Sequence, residues 1–100
     1  METSFCIVFN IKTTDGYETY GRFMLGKNRE FAYDVFNKLQ GEDMPDETSV
    51  LSIDMIELKN GLPLNLKLIS CTLDQLAQNV KIITKEIFKA YNLKEMYPEK

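Results

Sequence analysis

Cys6 and Cys71 are the chain's two cysteines, and histidine is absent. Histidine is the commonest general base, proton shuttle and zinc ligand, so its absence removes the second member of any nucleophile–base pair. Cys71 precedes a predicted helix, whose positive N-terminal end could lower a thiol pKa. With no base to pair with it, the simpler reading is a small half-buried residue. Two thiols 65 positions apart make no disulfide framework and at best half of a metal site. Glu42, Asp43, Asp46 and Glu47 cluster after Gly41, but they lack the ligand spacing and central glycine of a calcium loop. With Pro45 among them they read as an acidic connector. No glycine-rich phosphate loop occurs. The stretch Gly26-Lys27-Asn28-Arg29 puts two cations at a helix start, where capping is the simpler use. The expectation is a protein with no catalytic activity, no cofactor and no metal.

Charge narrows the partners. Lys81, Lys85 and Lys89 fall at i, i+4 and i+8 and form one basic stripe. The whole chain is nevertheless acidic at −3, with five basic and nine acidic side chains in residues 1–50 and seven and six in 51–100. Nucleic-acid binding draws on many phosphate-neutralising cations, so it ranks as a weak alternative that would use those three lysines. No run approaches 18 consecutive apolar residues, so no membrane span is expected. The start METSFCIVFN has no basic region before its apolar run and does not read as a secretory signal. Unpaired thiols then favour a reducing, cytoplasmic setting.

One hundred residues suit a single domain, 1–100, and the elements that would position these groups come twice. Residues 4–13 alternate apolar and polar as a strand, Asp15-Gly16 marks a hairpin, and 17–25 return. Asn28 can cap a helix reaching Gln40, which Gly41 would end in a left-handed conformation. After the linker, 50–59 and 62–70 form a second hairpin around Asn60-Gly61. Thr72 with Gln75 makes a capping box for a helix running to Tyr91 or Asn92. Its apolar stripe is Leu73, Leu76, Val80, Ile83, Ile87 and Tyr91. A shift of 45 residues superposes the halves, bringing Ile11 onto Ile56, Gly16 onto Gly61, Ala32 onto Ala77 and Val35 onto Val80. Two ββα units, roughly 2–41 and 47–92 with the acidic linker 41–47 between them, follow from that repeat.

The fold class is α+β: a ββαββα two-layer sandwich with a four-stranded antiparallel sheet and both helices on one face. Strand order 2-1-3-4 is preferred over 1-2-4-3. The expected core is Phe5, Ile7, Phe9, Ile11, Phe23, Leu64, Leu66 and Leu68, with Gly21 on the same face giving a helix room to approach. Leu51, Ile53 and Met55 have one parity and Ile56 and Leu58 the other, which calls for a bulge near Met55-Ile56 or for burial on both faces.

A helix-free face in water should be polar. Here strand alternation points Val8, Tyr20, Met24, Ile53, Met55 and Ile69 outward, within a margin that includes Asn10, Lys12, Glu18, Arg22, Asn65 and Lys67. An apolar centre with a polar rim has the composition of a contact surface. The expected partner is a second copy of the chain, giving a dimer or larger homo-oligomer, with an unidentified protein partner as a further option. The C-terminal tail, with Met96 and Tyr97, is another candidate cover for that face. Ile82 and Tyr33 fall on the outer sides of the two helices and could form a smaller patch. A rival function is an acidic inhibitor or immunity-type protein whose carboxylates at 42–47 engage a basic partner.

Asn60-Gly61 reads as a type I′ turn, with positive φ at both central residues. Gly61→Val forces a β-branched residue into that conformation and should cost on the order of 1–3 kcal/mol. A thermal melt checks it, and an unchanged midpoint would mean that the chain does not turn there.

Overall fold

The computed structural model describes residues 2–43 and 50–92. Its elements are β1 (Thr3–Thr13), β2 (Gly16–Gly26), α1 (Arg29–Asn37), β3 (Leu51–Lys59), β4 (Leu62–Cys71) and α2 (Leu73–Asn92). The sheet is antiparallel throughout, in the order β2-β1-β3-β4. The preferred strand order is thus the observed one.

Local chemistry accounts for the boundaries. Asn60 and Gly61 both have positive φ, +54° and +84°, between the paired residues Lys59 and Leu62. The first hairpin differs. Thr13 pairs with Gly16, so Thr14 and Asp15 make the turn, and the Thr13 hydroxyl holds it by donating to the Gly16 carbonyl and accepting from the Asp15 amide. Asn28 caps α1 by accepting from the Phe31 amide at 3.1 Å. Thr72 and Gln75 form the reciprocal capping box of α2. Gly41 is not the cap of α1, which ends at Asn37 with Lys38 in right-handed helical geometry. Gly41 is needed where the chain passes β4, because a Cβ there would collide with the Ser70 carbonyl oxygen. Glu42 then forms an antiparallel bridge to Ser70.

The core forms where both helices meet the side of the sheet that carries Phe5, Ile7 and Phe9. Leu25, Phe31, Ala32, Val35, Phe36, Ile53, Met55, Ile69 and Ile83 complete it. The expected members Leu64 and Leu68 are exposed, Ile11 is marginally so, and Phe23 and Leu66 pack at its border. Gly21 lies under the Phe9 side chain, so an aromatic ring, not a helix, occupies the space it leaves.

Strand bulges explain the difference. Phe9 pairs with Gly21 and Asn10 with Thr19, leaving Tyr20 as an extra residue in β2. Met55 pairs with Lys67 and Ile56 with Asn65, leaving Leu66 as an extra residue in β4. A further extra residue, Leu25, lies between the pairs Phe5–Gly26 and Cys6–Met24 and has no counterpart in β4. The bulges at Tyr20 and Leu66 are 46 positions apart, and so are Val8 and Asp54, which pair with each other. The hairpins therefore repeat with a spacing of 46, not 45, about a local two-fold between Val8 and Asp54. One residue of offset reverses every side chain in a strand. At the true spacing Ile53, Met55 and Ile69 occupy the places of Ile7, Phe9 and Phe23. The bulge expected near Met55-Ile56 exists, but its extra residue is on β4.

Two polar clamps set the rotation of α2. Asn79 is fully buried and holds the Gln40 backbone from both sides, accepting from its amide at 2.7 Å and donating to its carbonyl at 2.8 Å. Glu86 is ion-paired with Lys38 at 3.0 Å and with Lys89 at 3.3 Å. Burial raises its carboxyl pKa, but the two lysines outweigh that and hold it below the ordinary value. Asn79→Leu leaves the Gln40 amide and carbonyl unpaired and should cost about 2–4 kcal/mol. Urea unfolding reads this as a lower midpoint at unchanged slope, and no shift would show that α2 is held by packing alone.

Candidate interaction surface

The groups that sequence chemistry singled out are mostly engaged elsewhere. Both cysteines are free thiols. Burial pushes both above the ordinary thiol range, at Cys6 against a lowering by the Arg22 charge. At Cys71 desolvation is the sole cause, which is the reverse of an activated nucleophile. Arg29 pairs with Glu57 at 3.0 Å and lies over the Phe5 ring, so the cationic start of α1 serves the fold. Lys89 is committed to Glu86, while Lys81 and Lys85 stand exposed. Of the acidic connector, Glu42 and Asp43 are exposed; Asp46 and Glu47 lie outside the described residues, as do Met96 and Tyr97. A shallow open hollow of about 360 Å³ beside the end of α1 is lined by Phe36, Asn37 and Ile69 among others. Its Lys67 already donates to Asn37 and sits over the Tyr33 ring.

The helix-free face differs from the expected patch. Val8 and Met24 do point away from the helices, alternating with Ile7, Phe9 and Phe23. Ile53, Met55 and Ile69 do not: they are buried in the helix-covered core and cannot form part of an outward patch. Tyr20 occupies the β2 bulge with its ring 6.1 Å from that of Phe9, half-exposed toward the helix side. Sequence reasoning missed the apolar residues that take their place, Ile56, Leu58 and Leu68, which alternate with core positions. Only the position of the bulge could have revealed them.

Three cross-strand rows make up the centre of this face. Met24, Cys6 and Ile56 form one, Arg22, Val8 and Asp54 the next, and Thr19, Asn10 and Ser52 the third. Cys6 and Val8 are only 1% and 4% exposed although no helix covers them, so β1 is the floor of a trough between its taller neighbours. The third row is tied by the Thr19 hydroxyl, which donates to the Asn10 side chain at 2.5 Å. Asn10 in turn donates to Asp54 Oδ2 at a long 3.4 Å. Asp54 Oδ1 is buried without a hydrogen-bond partner. Desolvation pushes the Asp54 carboxyl above its ordinary range, against the lowering by Asn10.

A second exposed apolar surface lies on α2. Because Asn79, Ile83 and Glu86 face inward, Leu73, Val80, Phe88 and Tyr91 are turned out, with Leu73 72% exposed and Phe88 and Tyr91 each 61%. Leu73, Val80 and Tyr91 belonged to the expected apolar stripe, whereas Ile82 and Tyr33, expected outside, are half-buried.

Ile69 and Leu68 separate the two faces of β4 by experiment. Ile69→Lys buries an unpaired cation in the core and should cost on the order of 4 kcal/mol or more. Leu68→Lys places the same charge on the opposite, exposed side and should lower the melting temperature far less. Equal melts for the two variants would refute the assigned strand parity.

No family model, no curated protein and no solved structure matches the chain.

Proposed function

We propose that the chain is a non-catalytic protein-interaction domain that associates with itself through the helix-free face of its sheet, in a reducing, cytoplasmic setting. The observation that carries this reading is the chemistry of that face. Met24, Ile56, Leu58 and Leu68 stand around the nearly buried floor of Cys6 and Val8, and polar residues interrupt them. A solvated face has no use for such a centre. Size supports it too. Four strands about 4.8 Å apart and roughly 30 Å long span on the order of 600 Å² in projection, about three quarters of it within reach of a contact centred on β1, against the ~800 Å² of accessible surface each partner gives to a standard interface. Among the described residues no helix is long and apolar enough to cross a membrane.

The exposed stripe of α2 favours a second reading, in which the helix is the contact and the sheet face is not. Sedimentation equilibrium across a micromolar concentration series tests self-association first. The expected species has twice the mass of the chain and dissociates on dilution. A monomer at every concentration would overturn the proposal.

A further inference from the structure

The three rows on the helix-free face share one property. Each has a β1 residue at its centre, a β2 residue on one side and a β3 residue on the other. Consider a second copy turned over onto this face about an axis running along β1. Its β1 then lies on the first copy's β1, and its β2 on the first copy's β3. Met24 meets Ile56, Arg22 meets Asp54 and Thr19 meets Ser52, while Cys6, Val8 and Asn10 meet their own counterparts. Apolar faces apolar, cation faces anion, and hydroxyl faces hydroxyl. The other in-plane two-fold, across the strands, lays Arg22 on Arg22 and Asp54 on Asp54, and like charges in contact oppose association.

We infer that two copies of the chain pack face to face about a two-fold axis along β1, with Arg22 of each reaching Asp54 of the other. This rests on the self-association proposed above and specifies its geometry. Within one chain Asp54 has a buried carboxylate oxygen with no partner and only a 3.4 Å contact at the other. Arg22 is exposed and makes no ion pair among the described residues. The pairing sets a cation against the Asp54 carboxylate, whose Oδ2 makes only that long contact to Asn10. Sheets packed face to face lie about 10 Å apart, a gap that an extended arginine and an aspartate span together. A two-fold contact needs one patch complementary to itself, and these rows meet that requirement twice over, in charge and in apolarity.

The test is the dissociation constant of the full chain by sedimentation, with far-UV circular dichroism confirming the fold of each variant. Arg22→Glu should weaken the dimer by at least about tenfold, and adding Asp54→Lys should restore most of the loss. Should Asp54→Lys fail to fold, Asp54→Asn, uncharged and of the same shape, should weaken the wild-type dimer as well. Met24→Lys, which puts a charge opposite Ile56, should also weaken it, whereas Val80→Lys on α2 should not. If Met24→Lys weakens the dimer and neither Arg22→Glu nor Asp54→Asn does, the face is right and the axis is wrong, which overturns this inference alone. If only Val80→Lys weakens it, the dimer uses α2, and both this geometry and the sheet-face reading fail.

Discussion

A strand's side chains alternate with a period of two, so one extra residue decides which half of the strand meets the helices. Tyr20 in β2 and Leu66 in β4 are those residues. Beyond each bulge the parity is reset, which brings Phe23 and Ile69 onto the helix side and turns Met24 and Leu68 away from it. The rest of the molecule follows from this. The core on one side and the apolar trough on the other are both products of where the extra residue sits. These two bulges and a third at Leu25, between the pairs Phe5–Gly26 and Cys6–Met24, are all on the edge strands of the sheet, where they also twist the edge and disrupt edge-to-edge pairing. Pro63 removes one donor from β4, and Glu42 occupies that strand's edge at Ser70. Both edges are thus poor templates for adding a further strand.

The helices answer to a different constraint. A 20-residue helix on a sheet this small cannot bury its whole apolar arc, and polar contacts decide which part goes inside. Asn79 must reach the Gln40 backbone and Glu86 must reach Lys38, and both targets lie just past the end of α1. Residues seven apart share a side of a helix, so the two clamps reinforce one rotation. That rotation carries Ile83 into the core and Val80 out of it. Asn79 is itself fully buried, so leaving its amide without the Gln40 backbone would cost more than burying one more aliphatic side chain gains.

Element order, both helix N-caps and the Asn60-Gly61 turn were legible in the sequence, because each rests on contacts between residues close in the chain; strand order followed from the connection rules for two ββα units. The facing of β3 and of the second half of β4 was not. A bulge is a mismatch between two strands and leaves no local trace in either, so Leu66 looked like one more alternating leucine. The spacing of 45 that appeared to superpose the halves is the compromise of a 46-residue offset in the hairpins and shorter spacing at the helix starts, where Asn28 and Thr72 cap α1 and α2. That single residue misplaced Ile53, Met55 and Ile69 together. The rotation of α2 was hidden for a related reason: Asn79 looks like a surface residue until its distant partner, Gln40, is known.

The two halves of the sheet treat their two faces differently, and this bears on what the outer face is for. At equivalent positions 46 apart, the helix side keeps its chemistry: Phe5 answers to Leu51, Ile7 to Ile53 and Phe9 to Met55. The outer side does not. Cys6 answers to Ser52, Val8 to Asp54, Asn10 to Ile56 and Lys12 to Leu58. Each outward pair holds one apolar and one polar residue. A face that met only water would be polar in both halves, and a second core would be apolar in both. The mixture keeps apolar side chains on this face in both halves and places Asp54, with one oxygen unsatisfied, beside Val8 at the local two-fold.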